Sequence, residues 1–281
     1  MSLPVYLSSQ GKRLRIRSKE AFSELFSPRC KAPFIEQINA ADQRIRRDAP
    51  NISQGALSNV HGAWYEWILG FHFWNHFVEN GGGILAVKLP NVSSFDVADL
   101  FEKDLRDYIF DLRQKVAKAS NVELVTSNPD FFLCDVGQKN FSVLRDRGPM
   151  TDYSSENIVF LDNLFKSLTG FCNLDNIEGF MASKTSFRPD RRLQIPHEGS
   201  LMKAIYAHLV TRDWILSPRG LKYYAVACKV GEPDRRALKT VATHSIVTVA
   251  DLPKAAVDEV FEVNDSGGLR RFLETALVNH R

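Results

Sequence analysis

The sequence is poor in cysteine, and the four cysteines it has are far apart. Cys30, Cys134, Cys172 and Cys228 form no C-x-x-C pair in a chain of 281 residues. Zinc sites and disulfide frameworks depend on recurrent, closely spaced cysteines, so neither is expected. We therefore expect reduced thiols and a cytoplasmic protein.

Long uninterrupted apolar segments are also missing. The start, MSLPVYLSSQGKRLRIR, does not place an apolar stretch after a basic one, which argues against a secretory signal. The most apolar stretch, 57–78, is interrupted by Glu66, His72 and Asn75. It is therefore a poor membrane span.

The chain has no internal repeat and only a weak charge bias. Its formal net charge is +3 and its sequence pI is about 8.6, with 44% hydrophobic and 25% charged residues. This composition is typical of a soluble globular chain with a substantial core. The charge alone does not establish nucleic-acid binding, but it is compatible with a neutral body that carries one basic cleft.

Helix and strand patterns are interspersed along the chain. Helical spacing is found at 35–47, 58–77, 93–120, 156–170 and 199–214, and after Gly267-Gly268. Strand patterns are found in ILAVKL, VELVTS, FFLCDV, IEGFMASKTSF, KYYAVACKV and HSIVTVADL. The alternation predicts an α/β fold with a mixed central sheet. Because no long linker divides the chain, we expect one domain, with an N-terminal arm and helical portion over 1–56 and the core over 57–281.

Three polar residues have the chemistry that metal-assisted phosphodiester hydrolysis needs. Asp130 precedes FFLCDV, Lys184 lies in IEGFMASKTSF, and Glu198 follows 14 residues later, at the threshold of the 199–214 helix. Two carboxylates can hold Mg²⁺, and a lysine can orient or deprotonate the attacking water. Each residue alone also fits a simpler interpretation: a turn, a solvated lysine and a favourable charge at a helix start.

The residues between Lys184 and Glu198 suit base recognition. Arg188 and Arg191 can each donate two hydrogen bonds to O6 and N7 of guanine, and Asp190 can accept one from N4 of cytosine. Since Asp190 would repel a phosphate backbone, the pattern favours a G·C-rich target over simple phosphate binding. The alternative is an Arg–Asp network on the surface.

Residues 184–198, K-x-x-x-R-P-D-R-R-x-Q-x-x-H-E, resemble the shared segment of type II restriction endonucleases that cut within CCGG-core palindromes. NgoMIV, SgrAI and AgeI belong to this group, which is part of the PD-(D/E)xK nuclease superfamily. The usual acidic residue two positions before the lysine is Ala182 in this chain. The resemblance implies that Glu198 takes its place and that the fold is the restriction endonuclease-like one.

The resemblance also implies roles for particular residues. Asp130, Lys184 and Glu198 would form the active site, with Ser183 joining the two carboxylates at the metal. Glu66, in N-x-x-G-x-x-x-E, resembles a helix glutamate of these enzymes that approaches the metal site. The residues that would read the CCGG core are Arg188, Asp190 and Arg191, and further candidate DNA contacts are Arg192, Gln194, Arg235 and Arg236.

Arg235 and Arg236 belong to a second PDRR motif, in GEPDRRALKT at 231–240. No strand lysine precedes this motif and no glutamate follows it at the matching distance. It would therefore contact bases outside the core or phosphates, and a solvated turn is the alternative.

The activity implied by the resemblance is that of a bacterial, Mg²⁺-dependent restriction endonuclease in a restriction–modification system. It would act as a homodimer on a palindrome and leave 5′ four-base overhangs. One alternative is a repair or junction-cleaving nuclease of the same superfamily, against which the compact Arg-Pro-Asp-Arg cluster argues. Another is a DNA-binding regulator that has lost cleavage, against which the intact Asp130, Lys184 and Glu198 argue.

Overall fold

The structure is a computed structural model that describes residues 3–10, 13–125, 128–137, 147–247 and 252–277. Parts of two expected strands, at 126–127 and 248–251, lie outside the described residues. No helix of the described ranges is long and apolar enough to cross a membrane.

The helices and strands follow one another in a mixed order. They are β1 (Leu7–Gln10), β2 (Arg13–Ile16), α1 (Ser18–Leu25), α2 (Phe34–Asp48), α3 (Gln54–Glu79), β3 (Ile84–Lys88), α4 (Lys103–Ser120), β4 (Phe131–Asp135), α5 (Ser155–Asn163), β5 (Ile177–Ser186), α6 (Pro189–Arg212), β6 (Lys222–Lys229), α7 (Glu232–Leu238), β7 (Glu259–Glu262) and α8 (Ser266–Ala276). This order confirms the predicted α/β class.

A five-stranded mixed sheet in the order β3-β4-β5-β6-β7 forms the centre of the fold. β3, β4 and β5 pair antiparallel, whereas β5, β6 and β7 pair parallel. On one face of the sheet, Phe73 of α3 packs against Phe131 and against Phe272 of α8, with ring centroids 5.4 Å and 5.3 Å apart. On the other face, Met202 and Tyr206 of α6 and Ile109 of α4 lie around Phe180 of β5.

Helix α3 is apolar on nearly all sides because it is buried between the sheet and the N-terminal helices. Trp64, Tyr65, Ile68 and Trp74 are fully buried. The helix begins earlier than Ser58 or Asn59, where the sequence suggested a start. The Ser53 side chain accepts a hydrogen bond from the Ala56 amide at 3.2 Å and caps the first turn.

Three expectations about secondary structure are wrong. Residues 122–125, the described part of VELVTS, form no strand. The helix expected from residue 199 begins at Pro189, because proline is favourable in the first helical position. Pro196 lies inside this helix, where a missing amide hydrogen would ordinarily indicate a break. The described start of the strand expected in HSIVTVADL is instead a 3₁₀ helix at Thr243–Ile246, and the edge strand next to β6 is β7.

Candidate active site

Asp130 and Lys184 meet where β4 begins. Asp130 Oδ2 accepts hydrogen bonds from the Ser183 amide at 2.6 Å and from Lys184 Nζ at 2.5 Å. The pairing of Phe131 with Met181 places Asp130 across from Ala182, with Lys184 on the diagonal of the same face. Antiparallel pairing thus brings together two residues that are 54 positions apart in the sequence.

The same register explains what is unusual about Ala182. A carboxylate at this position would stand directly across the strand pair from Asp130. Ala182 is buried and has no polar group to offer, so a second carboxylate must come from another element.

Glu198 comes to this face of the sheet from α6. The helix begins after the end of β5 and runs back over the sheet. Glu198 is nine residues after Pro189, which corresponds to about 14 Å along the helix axis. The Glu198 carboxylate is buried and accepts a hydrogen bond from the Tyr223 hydroxyl of β6, whose backbone pairs with Phe180. The 14 residues from Lys184 to Glu198 therefore comprise the end of strand β5, a short turn and the first turns of α6, which lead back over the sheet.

The pKa of the Tyr223 phenol is affected by the carboxylates of both Glu198 and Asp130. Burial raises its pKa well above the ordinary value, and the negative charges of Glu198 and Asp130 raise it further. The phenol therefore stays protonated and can donate its hydrogen to Glu198.

A third carboxylate, Glu66 of α3, lies beside a lysine that the sequence did not single out. Lys88 Nζ at the end of β3 is 3.4 Å from Glu66 Oε2 and 3.3 Å from Asp162 Oδ1. Asp162 also accepts from Trp67 Nε1 at 2.9 Å and pairs with Lys19 Nζ at 2.8 Å. A lysine inside the apolar run ILAVKL is the sequence signal that could have identified Lys88.

The pKa of Glu66 is raised to about 7. Burial is the main cause and the Asp130 carboxylate adds to it, while Lys88 and Lys184 pull the pKa down. Burial also lowers the pKa of Lys88, but Glu66 and Asp162 outweigh this and leave it above its ordinary value. The cluster is therefore a partly buried group of carboxylates balanced by two lysines.

Replacement of Glu66 by glutamine should flatten the pH dependence of stability in the metal-free protein. The folded-state pKa of about 7 lies above the ordinary value of 4.5, so ionisation of Glu66 disfavours the folded state as the pH rises. The variant should gain stability relative to the wild type between about pH 4.5 and 7, by on the order of 3 kcal/mol in total. Urea unfolding at a series of pH values measures this difference.

Glu24→Gln, at an exposed position on α1, is the control for this experiment and should give the same pH profile as the wild type. Equal pH profiles for Glu66→Gln and the wild type would contradict the account of the carboxylate cluster.

The candidate base-reading residues lie in the first turn of α6. Arg188 and Asp190 are exposed, and Arg191 retains 30% of its side-chain exposure. Arg188 Nη2 is 3.4 Å from Asp190 Oδ2, and Arg191 donates to Gln194 Oε1. The contacts among Arg188, Asp190 and Arg191 are long, so these side chains form a loose surface group at the helix N-terminus.

The second PDRR motif forms α7 and packs against α6. Arg192 Nε donates to Asp234 Oδ1 at 2.7 Å, and Asp234 Oδ2 accepts from the Gly231 amide at 2.8 Å. Arg235 donates to the Val260 carbonyl at 2.5 Å, while Arg236 is exposed. Arg192 and Arg235, like Gln194, thus make hydrogen bonds within the protein, and a role of these residues in DNA binding stays a prediction.

The oxygen donors here fit a hard divalent cation. Asp130 and Glu198 supply carboxylates, and Ser183 Oγ is buried without a hydrogen-bond partner among the described residues. No three His, Cys, Asp or Glu side chains in the described ranges converge closely enough to form a ready-made metal site. The Lys184 ammonium group is a cation and donates a hydrogen bond to Asp130 Oδ2.

Comparison with known proteins decides the family. The family model described as "Cfr10I/Bse634I restriction endonuclease" matches residues 11–279. The chain belongs to the Cfr10I/Bse634I restriction endonuclease family. The "Type II restriction enzyme Cfr10I" of Citrobacter freundii is 45% identical over 226 residues, which cover 79% of this chain and 78% of Cfr10I. The Cfr10I/Bse634I member described here is therefore a type II site-specific deoxyribonuclease.

Solved structures of Bse634I support the fold. One Bse634I structure has a TM-score of 0.87 and 29% identity, covering 97% of each chain. A second, the type IIF restriction endonuclease Bse634I with cognate DNA, has a TM-score of 0.87 and 28% identity, covering 99% of this chain and 100% of the other. Restriction endonucleases of this kind generally depend on a divalent metal. These matches do not support the narrower grouping with NgoMIV and SgrAI, or an identity with AgeI, to which size and motif pointed.

Proposed function

We propose that this Cfr10I/Bse634I-type endonuclease cleaves double-stranded DNA at a palindrome with a CCGG core, using Mg²⁺, and leaves 5′ four-base overhangs. One observation carries the proposal: a single helix, α6, bears both kinds of residue. Its exposed start presents Arg188, Asp190 and Arg191, and its tenth residue, Glu198, is buried on the sheet face that holds Asp130.

The charge distribution at the start of α6 supports a binding role. Arginines near a helix N-terminus oppose the helix dipole, at a cost of roughly 0.3–1 kcal/mol each. Arg188, Arg191 and Arg192 all stand at this end, where Asp190 is the only acidic residue of the first turn. A local arrangement that costs stability is expected where a protein binds a ligand, and here that ligand is DNA.

The recognition chemistry follows from these side chains. Arg188 and Arg191 donate to guanine O6 and N7 in the major groove, and Asp190 accepts from cytosine N4. Arg192, Gln194 and Arg236 are candidates for weaker contacts nearby, and Arg235 is partly committed to the Val260 carbonyl.

The cleavage chemistry divides among four side chains. Asp130 and Glu198 would hold Mg²⁺ through their carboxylates, and the buried Ser183 hydroxyl could serve as a further oxygen donor. When bound, Mg²⁺ neutralises charge on the scissile phosphate and lowers the pKa of water. Lys184, which is hydrogen-bonded to Asp130, orients the attacking water opposite the leaving oxygen. Its positive charge stabilises the negative charge that develops on the phosphoryl group. Glu66 adds negative charge at the edge of this group and is held by Lys88.

A palindromic target implies two-fold symmetry of the working enzyme. One subunit recognises one half-site and cuts one strand, so the protein acts as a homodimer or a larger symmetric assembly. Each subunit works as one domain, in the bacterial cytoplasm where its DNA target enters.

Digestion of two plasmids that differ only in the presence of one CCGG-containing palindrome tests this proposal. The plasmid with the site should be linearised in Mg²⁺ and left intact in EDTA, whereas the plasmid without it should stay supercoiled in both. Linearisation of both plasmids at equal rates, or cleavage in EDTA, would overturn the proposed specificity or the metal dependence, respectively.

A further inference from the structure

Tyr223 is a fully buried phenol with no place in the chemistry described so far. It lies near the start of β6, its side chain is 0% exposed, and its hydroxyl donates to Glu198 Oε1. Burying a hydroxyl is costly unless it forms a hydrogen bond, and a bond to a charged acceptor is roughly twice as strong as a neutral one. The partner of this hydroxyl is the residue that replaces the missing carboxylate at 182.

The backbone of Tyr223 is held in place by Asp258. Its amide donates to Asp258 Oδ2 at 2.7 Å, and its carbonyl accepts from the Asp258 amide at 2.8 Å. Lys203 of α6 pairs with Asp258 Oδ2 at 2.6 Å and donates to the Ala255 carbonyl at 2.6 Å. The same helix that carries Glu198 is therefore fastened to the segment that holds Tyr223.

Gly199 allows this close approach. A Cβ atom at residue 199 would lie 2.4 Å from the Ala256 carbonyl oxygen and 3.0 Å from Cγ of Tyr223. Any side chain at this position would push α6 away from β6 and separate Glu198 from the phenol. Glycine after Glu198 and tyrosine on the neighbouring strand are thus two parts of one contact.

We propose that Tyr223 is a positioning residue for Glu198: its hydroxyl holds the relocated carboxylate in the orientation needed to bind the divalent metal. The proposal rests on the proposed function, in which Glu198 is a metal ligand. A strand carboxylate two positions before the lysine would be oriented by its own backbone. Glu198 instead reaches the site from a helix through a glutamate side chain with three rotatable bonds, and the hydrogen bond from Tyr223 restricts their rotation.

Tyr223→Phe removes one oxygen atom and tests the contact. Residues that orient a metal ligand typically change metal affinity 10–100-fold, so the Mg²⁺ concentration for half-maximal cleavage should rise by about tenfold or more. The rate at saturating Mg²⁺ should recover to near the wild-type value, because Tyr223 is fully buried and its hydroxyl is directed at Glu198. Binding of Mn²⁺ to the metal-free protein, followed by electron paramagnetic resonance, should weaken in parallel and needs no turnover.

Two other tyrosines provide matched controls. Tyr224→Phe, on the opposite face of β6, removes a hydroxyl far from Glu198, and Tyr65→Phe removes a buried hydroxyl that donates to the Val263 carbonyl at 2.7 Å. Neither should change the Mg²⁺ requirement. A ¹³Cζ-tyrosine spectrum of the wild-type protein checks the contact without a substitution, since the Tyr223 resonance should move on Mg²⁺ addition and that of Tyr224 should not.

The possible results distinguish failure of the positioning role of Tyr223 from failure of the proposed metal-ligand role of Glu198. If Glu198→Gln binds Mn²⁺ and cleaves like the wild type, Glu198 is not a ligand and the proposed site itself fails. If Glu198→Gln is impaired but Tyr223→Phe has the same Mg²⁺ requirement as Tyr224→Phe, only the positioning role fails. A rate for Tyr223→Phe that stays low at every Mg²⁺ concentration, with Mn²⁺ affinity unchanged, also overturns it.

Discussion

Replacement of Lys184 by alanine should slow single-turnover DNA cleavage by about a thousandfold and leave DNA binding nearly unchanged. Lys184 Nζ contacts Asp130 Oδ2 at 2.5 Å, so its ammonium group lies where water and developing charge must be handled. The substitution removes the charge that balances Asp130 but leaves the base-reading turn of α6 in place. Quench-flow cleavage in saturating Mg²⁺, with a gel-shift assay on the same duplex in EDTA, measures both quantities.

The control for this prediction is Lys118→Ala, at an exposed position near the end of α4. It removes the same charge from the protein as a whole and should cleave like the wild type. A Lys184→Ala variant that cleaves as fast as Lys118→Ala would show that the active site has been placed wrongly.

The second large effect is expected at the start of α6. Arg191→Ala should weaken binding to DNA with the CCGG core by roughly 10–100-fold, because one bidentate guanine contact is worth about 1–3 kcal/mol. Binding to duplexes that lack the core should change far less, since phosphate contacts elsewhere persist. Fluorescence anisotropy with two duplexes that differ only in the core gives this ratio.

A lysine in the same position distinguishes base reading from phosphate binding. Arg191→Lys keeps the charge but cannot form the planar, two-pronged contact, so it should remain impaired on the core sequence. Arg47→Ala, exposed on α2, is the control and should bind both duplexes normally. Equal losses on both duplexes, or full recovery with lysine, would identify Arg191 as a phosphate contact.

Much of the site could be anticipated from sequence because its residues are tied to local patterns. FFLCDV and IEGFMASKTSF both form strands, and their antiparallel pairing is what joins Asp130 to Lys184. The order of helices and strands was sufficient for the fold class, although the start of α6 was obscured by Pro196.

What could not be anticipated depends on contacts between distant elements. Lys88 meets Glu66 and Asp162 only because β3, α3 and α5 come together, and no local spacing encodes that meeting. In the sequence, Tyr223 is likewise one residue of the strand pattern KYYAVACKV, and only the packing of α6 on β6 brings its hydroxyl to Glu198. Strand β7 is four residues long and sits at the sheet edge, too short for its alternation to be recognised.

The central claim is that the enzyme recognises a CCGG core and cuts each strand before its first C. Sequencing the ends produced by the wild-type enzyme from a randomised duplex library in Mg²⁺ tests this claim most directly. Every cut should lie before the first C of a CCGG core and leave a four-base 5′ overhang. Ends that share no CCGG core, or that are blunt, would contradict it.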